Sequence, residues 1–289
     1  MPDRLTKLPG ASHLAQCADC HTDFAVPRPS PAEIDAYYPD SYPPFNAMVA
    51  ADARTLKSLG ANHGFQRRAS DVVGIARTAG RILDIGCATG NFLHLMQQKG
   101  WQCTGVDIKP GAVQYARQHF GLDVIQADLE SAHFPADHFD VVTMWDVLEH
   151  VIDPCGTIRE VSRVLKPGGW FVLRVPNPQC WEAGLFGRYW AGWDAPRHLQ
   201  LIPRHTLMGL LGKAGLATIK ITSSTGRFAL LSLSLGYVLD AHLPPGRVNN
   251  ALQSVVQSML ARLVLQPYIA LSDRLEQSSL MTVFARKTT

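Results

Sequence analysis

Between Arg81 and Val175 the chain alternates short apolar runs, rich in β-branched residues, with stretches of helical spacing. The runs are RILDIG (81–86), CTGVDI (103–108), VIQADL (124–129), DVVTMW (140–145) and WFVLRV (170–175). Runs this short and this apolar fit strands buried on both faces of a parallel sheet. Helices are expected over Asn91–Lys99, Gly111–His119, Pro154–Val164 and Thr206–Ala214, with Lys166-Pro167-Gly168-Gly169 as the stop signal of the third. Strand and helix in alternation restrict the chain to βαβ units. Their right-handed crossovers wind into an α/β fold, a doubly wound, mostly parallel sheet with helices on both faces.

Open sheets of this kind bind ligands beyond the carboxyl ends of their strands, where the strand order switches. The residues at those ends are therefore informative. The first strand runs into Asp84-Ile85-Gly86-Cys87-Ala88-Thr89-Gly90, whose two glycines let the backbone turn tightly and approach a ligand closely. The second ends at Asp107, the third at Asp128 and the fourth at Trp145-Asp146. A carboxylate at the end of the second strand can accept both hydroxyls of a ribose. Asp84 could instead brace the turn, and Asp107 and Asp128 could be helix caps; their recurrence at successive strand ends favours ligand contact. A nicotinamide site would carry GxGxxG. Gly86 and Gly90 lack the third glycine of that motif, so a ligand with ribose and adenine but no phosphate fits better.

Composition removes other classes. With 289 residues, 46% hydrophobic content and a net charge of +3, the chain is neither disordered nor a disulfide scaffold. Its mild charge does not indicate a nucleic-acid partner. No run reaches the roughly 18 apolar residues of a membrane span, and MPDRLTKLPGASHLAQ lacks the apolar core of an export signal. Cys17, Cys20, Cys87, Cys103, Cys155 and Cys180 are then expected as reduced thiols of a cytoplasmic protein.

The ordered segments LDIGCATGNF, GVDIKPGAVQYAR, QADLE, FDVVTMWDVLEHVIDP and LKPGGWFVLRVPNP resemble the motifs of class I S-adenosylmethionine-dependent methyltransferases. DVLEHVIDP followed by LKPGG is similar to the subgroup containing ubiquinone-pathway O-methyltransferases and sugar and natural-product methyltransferases. The resemblance covers about Arg81 to Gly215. It implies a Rossmann-like sheet of seven strands with S-adenosyl-L-methionine as cofactor. It further implies that Asp84 orients the glycine loop, that Gly86 and Gly90 pass close to the methionine part, and that Asp107 holds the ribose. Ile108 would pack on the adenine, Asp128 would accept from its amine, Leu129 would meet the ring, and the Met144–Trp145 backbone would line the sulfonium end. Cys87-Ala88 departs from the more usual Cys-Gly.

The acceptor implied is a small molecule, a quinol, sugar or natural product, with methylation at a hydroxyl oxygen and at carbon or nitrogen as alternatives. A base then helps, and a histidine suits. His150, just past the fourth strand, and His198, in GWDAPRHLQLIP with Trp193 and Arg197, are the two candidates. Each has a bland reading, as a helix cap or a satisfied rim histidine. The rival functions are a protein that binds the cofactor without turnover, which the intact Asp84, Gly86, Gly90, Asp107 and Asp128 oppose, and a nicotinamide enzyme.

Outside the motif block, residues 1–45 form a Cys/Pro-rich extension and 46–289 the methyltransferase domain, with a helical insertion over 228–275 before the last strand. Cys17-x-x-Cys20 is half of a zinc site, which needs four ligands. His13 and His21 could complete it on paper, though relatives carry a four-cysteine ribbon of which this looks like a truncated remnant; a free pair is the alternative. ATIKITSS (217–224) and LMTVFARK (280–287) are expected as the closing strand pair. Between them FALLSLSLGYVL (228–239) is apolar all round. Leu252, Val255, Val256, Met259, Leu260, Leu263 and Val264 form one helical stripe opposite Gln253, Ser254, Gln257 and Ser258. The stripe reads as an internal cap or a homodimer interface, with peripheral membrane contact through 228–271 as the sharper alternative. Against that alternative, the polar face of 252–264 lacks the basic residues surface helices display.

Overall fold

Ten strands occur among the described residues: β1 (His13–Gln16), β2 (Asp23–Val26), β3 (Arg81–Ile85), β4 (Gln102–Asp107), β5 (Asp123–Gln126), β6 (Phe139–Trp145), β7 (Leu165–Pro176), β8 (Gln200–Leu201), β9 (Leu216–Ser223) and β10 (Leu280–Lys287). The computed structural model describes residues 3–4, 13–37, 56–223 and 227–288. The chain divides into two units, each discontinuous in sequence. One comprises Tyr38–Arg174, Met208–Ile221 and Val283–Thr289, the other Met1–Tyr37, Val175–Leu207 and Thr222–Thr282.

The first unit is organised by a seven-stranded sheet in the order β5-β4-β3-β6-β7-β10-β9. The pairs β3–β4, β3–β6, β4–β5 and β6–β7 are all parallel. Chain order runs outward from β3 to β4 and β5 on one side, then returns to β6 on the other. The strand order therefore switches at β3, the place where such sheets bind ligands. Ile82, Val141 and Val172 of the sheet pack with Ala69 and Val72 of the helix Leu56–Ala76 and with Phe92, Leu93 and Met96 of the helix Asn91–Gln98. The helix Pro110–Phe120 starts on proline and ends at Gly121 in the left-handed region (φ 63°), where the Gly121 N–H returns to Arg117 O.

The expected strands and helices are present with shifted ends, and one shift has a clear cause. The last parallel strand does not begin after Gly169 but at Leu165, directly behind the helix Pro154–Val164. Phe139 pairs with Leu165 and Val141 with Trp170, so Lys166–Gly169 bulges out of the ladder. A proline and a left-handed glycine (Gly168, φ 76°) suit a bulge as well as a helix stop.

In the second unit β1 and β2 form an antiparallel hairpin, and β2 pairs antiparallel with β8. Trp190 is buried with its indole N–H donating to Ser279 Oγ at 3.0 Å. Arg197, fully buried, donates to both oxygens of Asp3 (2.8 and 3.1 Å) and both oxygens of Asp194 (2.5 and 2.9 Å). Burial alone would lower its pKa, but the two carboxylates raise it above the ordinary arginine value. Arg197 is thus held as a structural cation by these two carboxylates. The insertion folds as four helices, Arg227–His242, Arg247–Val256, Met259–Val264 and Gln266–Arg274. The expected single stripe over 252–264 is interrupted at Ser258, whose Oγ caps the next helix by accepting from Ala261 N.

Removing this buried cation from between the buried Asp3 and the partly buried Asp194 should be severe. Arg197→Met is expected to lower stability by about 3–5 kcal/mol, read from urea unfolding. A loss below about 1 kcal/mol would show that the forked ion pair does not hold this unit together.

Candidate functional site

The carboxyl ends of β3, β4 and β6 come together in one rim of the sheet unit. Register aligns Asp84 with Gly105 on β4 and with Thr143 on β6. Asp84 is buried, and its Oδ1 accepts from Thr143 Oγ1 at 2.6 Å. Burial pushes its pKa up to about 7, against the opposing pull of the Thr143 hydroxyl and Arg68; Asp107 adds to the upward shift.

The loop after β3 is tied to β4 by its backbone. Gly86 N and Cys87 N donate to Val106 O, at 2.9 and 3.1 Å. Ala88 N donates to Asp107 Oδ2, and Lys109 N to Asp107 Oδ1, both at 2.8 Å. Asp107 is therefore fixed before any ligand arrives, and each oxygen keeps a second lone pair. Three loop residues lie in the left-handed region: Gly86 (φ 67°), Ala88 (φ 48°) and Gly90 (φ 78°). A Cβ on Gly86 would come within 2.5 Å of Val147 Cγ2, and one on Gly90 within 2.6 Å of Leu122 Cδ1, so neither position has room for a side chain. Ala88 adopts a conformation that disfavours L-residues by about 1–2 kcal/mol, as the departure from Cys-Gly anticipates.

Beyond β4, Ile108 is 59% exposed, unusual for a large apolar residue at the edge of a packed sheet. Asp128 is exposed and caps its own turn, Oδ1 accepting from Ser131 N at 2.7 Å, while Leu129 beside it is buried. Asp128 thus braces a turn with no helix after it among the described residues, whereas Asp107 accepts backbone bonds from two loops.

The end of β6 carries a charge cluster that sequence reasoning missed. Asp146 (φ 58°) takes a bidentate pair from Arg174, whose Nε lies 2.7 Å from Oδ1 while Nη2 bonds Oδ2. Arg68 Nη2 lies 3.5 Å from Asp146 Oδ2, and its guanidinium stands 5.0 Å from the centre of the Trp145 ring. Burial works against ionising Asp146, but Arg174, Arg68 and His150 together hold its pKa below the ordinary value. Burial and the like charge of Arg174 bring Arg68 down to about 9, with Asp146 and Asp84 opposing. Arg68 Nε and Trp145 Nε1 are buried and have no acceptor among the described residues. Helical spacing alone could not select Arg68 over Arg67, which pairs instead with Asp71 at 3.5 Å.

His150 closes a single turn of 3₁₀ helix, Leu148–His150, in this same unit, within electrostatic range of Asp146. His198 belongs to the other unit, as do Trp193, Arg197, Cys17 and Cys20. His198 Nδ1 lies 2.8 Å from Gly192 O. A carbonyl only accepts, so Nδ1 carries the hydrogen and Nε2 is the basic nitrogen. Cys17 and Cys20 flank the β1–β2 turn, where His21 N donates to Cys17 O and Cys20 Sγ lies 3.3 Å from Thr22 Oγ1. Hydrogen bonds from Thr22 lower the Cys20 pKa. His13 pairs with Val26, at the hairpin end opposite that turn. Among the described residues no group of three metal-ligating side chains forms around this pair.

A family model for a methyltransferase domain matches residues 52–221. The ubiquinone biosynthesis O-methyltransferase of Stutzerimonas stutzeri (strain A1501) is 36% identical over 135 residues, which is 44% of this chain and 55% of that protein. The chain thus spans about half the length of the curated relatives it matches. The crystal structure of an S-adenosylmethionine-dependent methyltransferase from Archaeoglobus fulgidus superposes with a TM-score of 0.53 at 20% identity, covering 83% of this chain and 98% of that one. The cyclase SpnF superposes at 0.51 and 23% identity, over 77% and 80%. These two likenesses establish the fold.

Asp84 supplies a pH-dependent test of the rim. Its folded pKa of about 7 lies above the ordinary 3.8, so its contribution to stability is full below pH 3.8 and is lost as pH rises to about 7. Asp84→Asn, which cannot ionise, should therefore gain on the wild type across that window by an amount on the order of a few kcal/mol, with no further change above it. Urea unfolding at several pH values would read the gap, and a constant gap would contradict the buried-carboxyl assignment.

Proposed function

We propose that this chain, which belongs to the methyltransferase-domain family of class I S-adenosylmethionine-dependent methyltransferases, transfers a methyl group to a hydroxyl oxygen of a small-molecule acceptor. The observation that carries this reading is the Gly86–Gly90 loop, bonded through Ala88 to Asp107 at the switch in strand order. The relatives support oxygen as the acceptor atom, since the matched curated proteins are ubiquinone biosynthesis O-methyltransferases.

The residues present fit the cofactor. Gly86 and Gly90 leave the loop backbone bare where side chains would clash, so it can lie against the amino-acid end. Asp107 is preorganised to accept the ribose hydroxyls, and exposed Ile108 offers an apolar face to the adenine. The orphaned Arg68 Nε–H offers a donor to a carboxylate. Asp84 orients the loop from beneath, and the Met144–Trp145 backbone ends the rim. Asp128 and Leu129 remain with the adenine side as proposed contacts. When bound, S-adenosylmethionine supplies an electrophilic methyl group on a sulfonium.

The protein's tasks are then to hold the acceptor in line and to take up its proton. His150 shares a unit with the rim and lies within electrostatic range of Asp146, which makes it the first candidate base. His198, with Nε2 as its basic nitrogen, is the second candidate base. Quinols are the first acceptor class to screen, followed by sugars and other natural products.

Asp107→Ala should weaken S-adenosylmethionine binding by about 1–3 kcal/mol, measured by calorimetric titration; unchanged affinity would remove Asp107 from the site. A quinol panel analysed by mass spectrometry should yield an O-methylated product. Replacing the true base, His150 or His198, by alanine should lower turnover while leaving cofactor affinity nearly intact. Wild-type turnover in both variants would exclude histidine base catalysis.

A further inference from the structure

In the helix Arg247–Val256 two polar side chains, Asn249 and Gln253, turn toward the protein while Val248, Leu252 and Val255 face solvent, unlike an ordinary surface helix. Asn249 is buried, with Nδ2 donating to Asp240 Oδ1 at 2.9 Å. One turn later Gln253 Nε2 donates to Gly236 O at 3.0 Å and to Asp240 Oδ1 at 3.2 Å. A Cβ on Gly236 would come within 2.7 Å of Gln253 Oε1, so this glycine admits the Gln253 side chain. These bonds fix the rotation of the helix Arg247–Val256 about its axis.

That rotation leaves Val248, Leu252 and Val255 outside, at 69%, 40% and 60% exposure. The next helix exposes Met259, Leu260, Leu263 and Val264 by 61–70%, and Leu271 and Leu275 extend the series at about half. Exposed apolar side chains grouped in this way mark an interaction surface. The charges among them identify its partner. Between Arg247 and Leu275 the cations are Arg247, Arg262 and Arg274, all exposed. The single acid there, Asp273, accepts a hydrogen bond from Ser278, and the neighbouring Glu276 is paired with Arg204. The surface is therefore apolar with a positive border.

We propose that residues 247–275 dock the protein onto bilayers containing anionic phospholipid, with the apolar side chains at the acyl boundary and the arginines at the head groups. A second copy of the chain is a poorer occupant, because a twofold interface on this face would bring like-charged arginines together. No helix among the described residues is long and apolar enough to cross a membrane, so the attachment is peripheral. The sequence objection, that the polar face lacks basic residues, leaves out the cations beyond that face: Gln253 turns to the protein while Ser254 and Gln257 stay exposed, and the exposed Arg247, Arg262 and Arg274 adjoin the apolar residues in sequence.

Flotation of the full chain with vesicles tests the proposal. The chain should float with phosphatidylcholine vesicles containing phosphatidylglycerol and much less with phosphatidylcholine alone. Arg262→Gln should reduce partitioning about fivefold, the equivalent of roughly 1 kcal/mol per basic residue at a charged surface. Leu260→Ser with Leu263→Ser should reduce it at least about tenfold without changing the thermal melt, since both side chains are exposed. No flotation with either vesicle, equal flotation with both, or unchanged flotation of the variants would overturn it. A dimer in sedimentation velocity that the serine variant dissolves, without vesicle binding by the wild type, would assign the face to a second copy instead.

Discussion

The hydrogen bond from the Ala88 N–H to the Asp107 carboxylate joins the loop after β3 to the end of β4, and the arrangement of the rim follows from it. It turns Asp107 sideways to the loop that follows the neighbouring strand β3. It also requires the loop to pass through left-handed conformations at Gly86, Ala88 and Gly90. The Lys109 N–H completes the pairing, so the carboxylate anchors both the glycine loop and the start of the helix Pro110–Phe120. An acidic side chain fixed by two backbone donors needs little further reorganisation when a diol arrives. That preorganisation is what the proposed ribose site at Asp107 draws from the βαβ architecture.

Near this loop lies a set of charges, from buried Asp84 to partly exposed Asp146, that only partly balance. Asp146 is well compensated by Arg174 and Arg68 and stays ionised. Asp84 and Arg68 are each shifted toward neutrality by burial, to about 7 and about 9. Arg68 is thus a guanidinium with a weakened hold on its proton and an unmatched Nε–H. The second unit treats its buried cation differently, since Arg197 is saturated by Asp3 and Asp194 and has a structural role.

Much of this was legible in the text of the chain because backbone constraints leave local signatures. Short apolar runs ending in Asp84, Asp107 and Trp145-Asp146, and glycines where a Cβ cannot fit, specify strands and turns without knowledge of distant partners. What failed to show depends on contacts across elements. Arg67 and Arg68 are adjacent on the helix Leu56–Ala76, and nothing local in the sequence says which would turn toward Asp146. Lys166–Gly169 has the chemistry of a helix stop and of a bulge alike, and only the Phe139–Leu165 pairing separates them. The stripe from Leu252 to Val264 specified a shared face, not its direction. Direction was set by Asn249 and Gln253 bonding to Asp240 and Gly236 on a neighbouring helix.

The central claim is that the switch point of the sheet binds S-adenosylmethionine. Calorimetric titration of the purified wild-type chain with S-adenosylmethionine, and separately with NAD, tests it most directly. Saturable one-to-one binding of the first in the micromolar range, and none of the second, is expected. Folded protein that binds NAD, or that shows no heat with S-adenosylmethionine, would contradict the account of the rim and leave the fold without its assigned ligand.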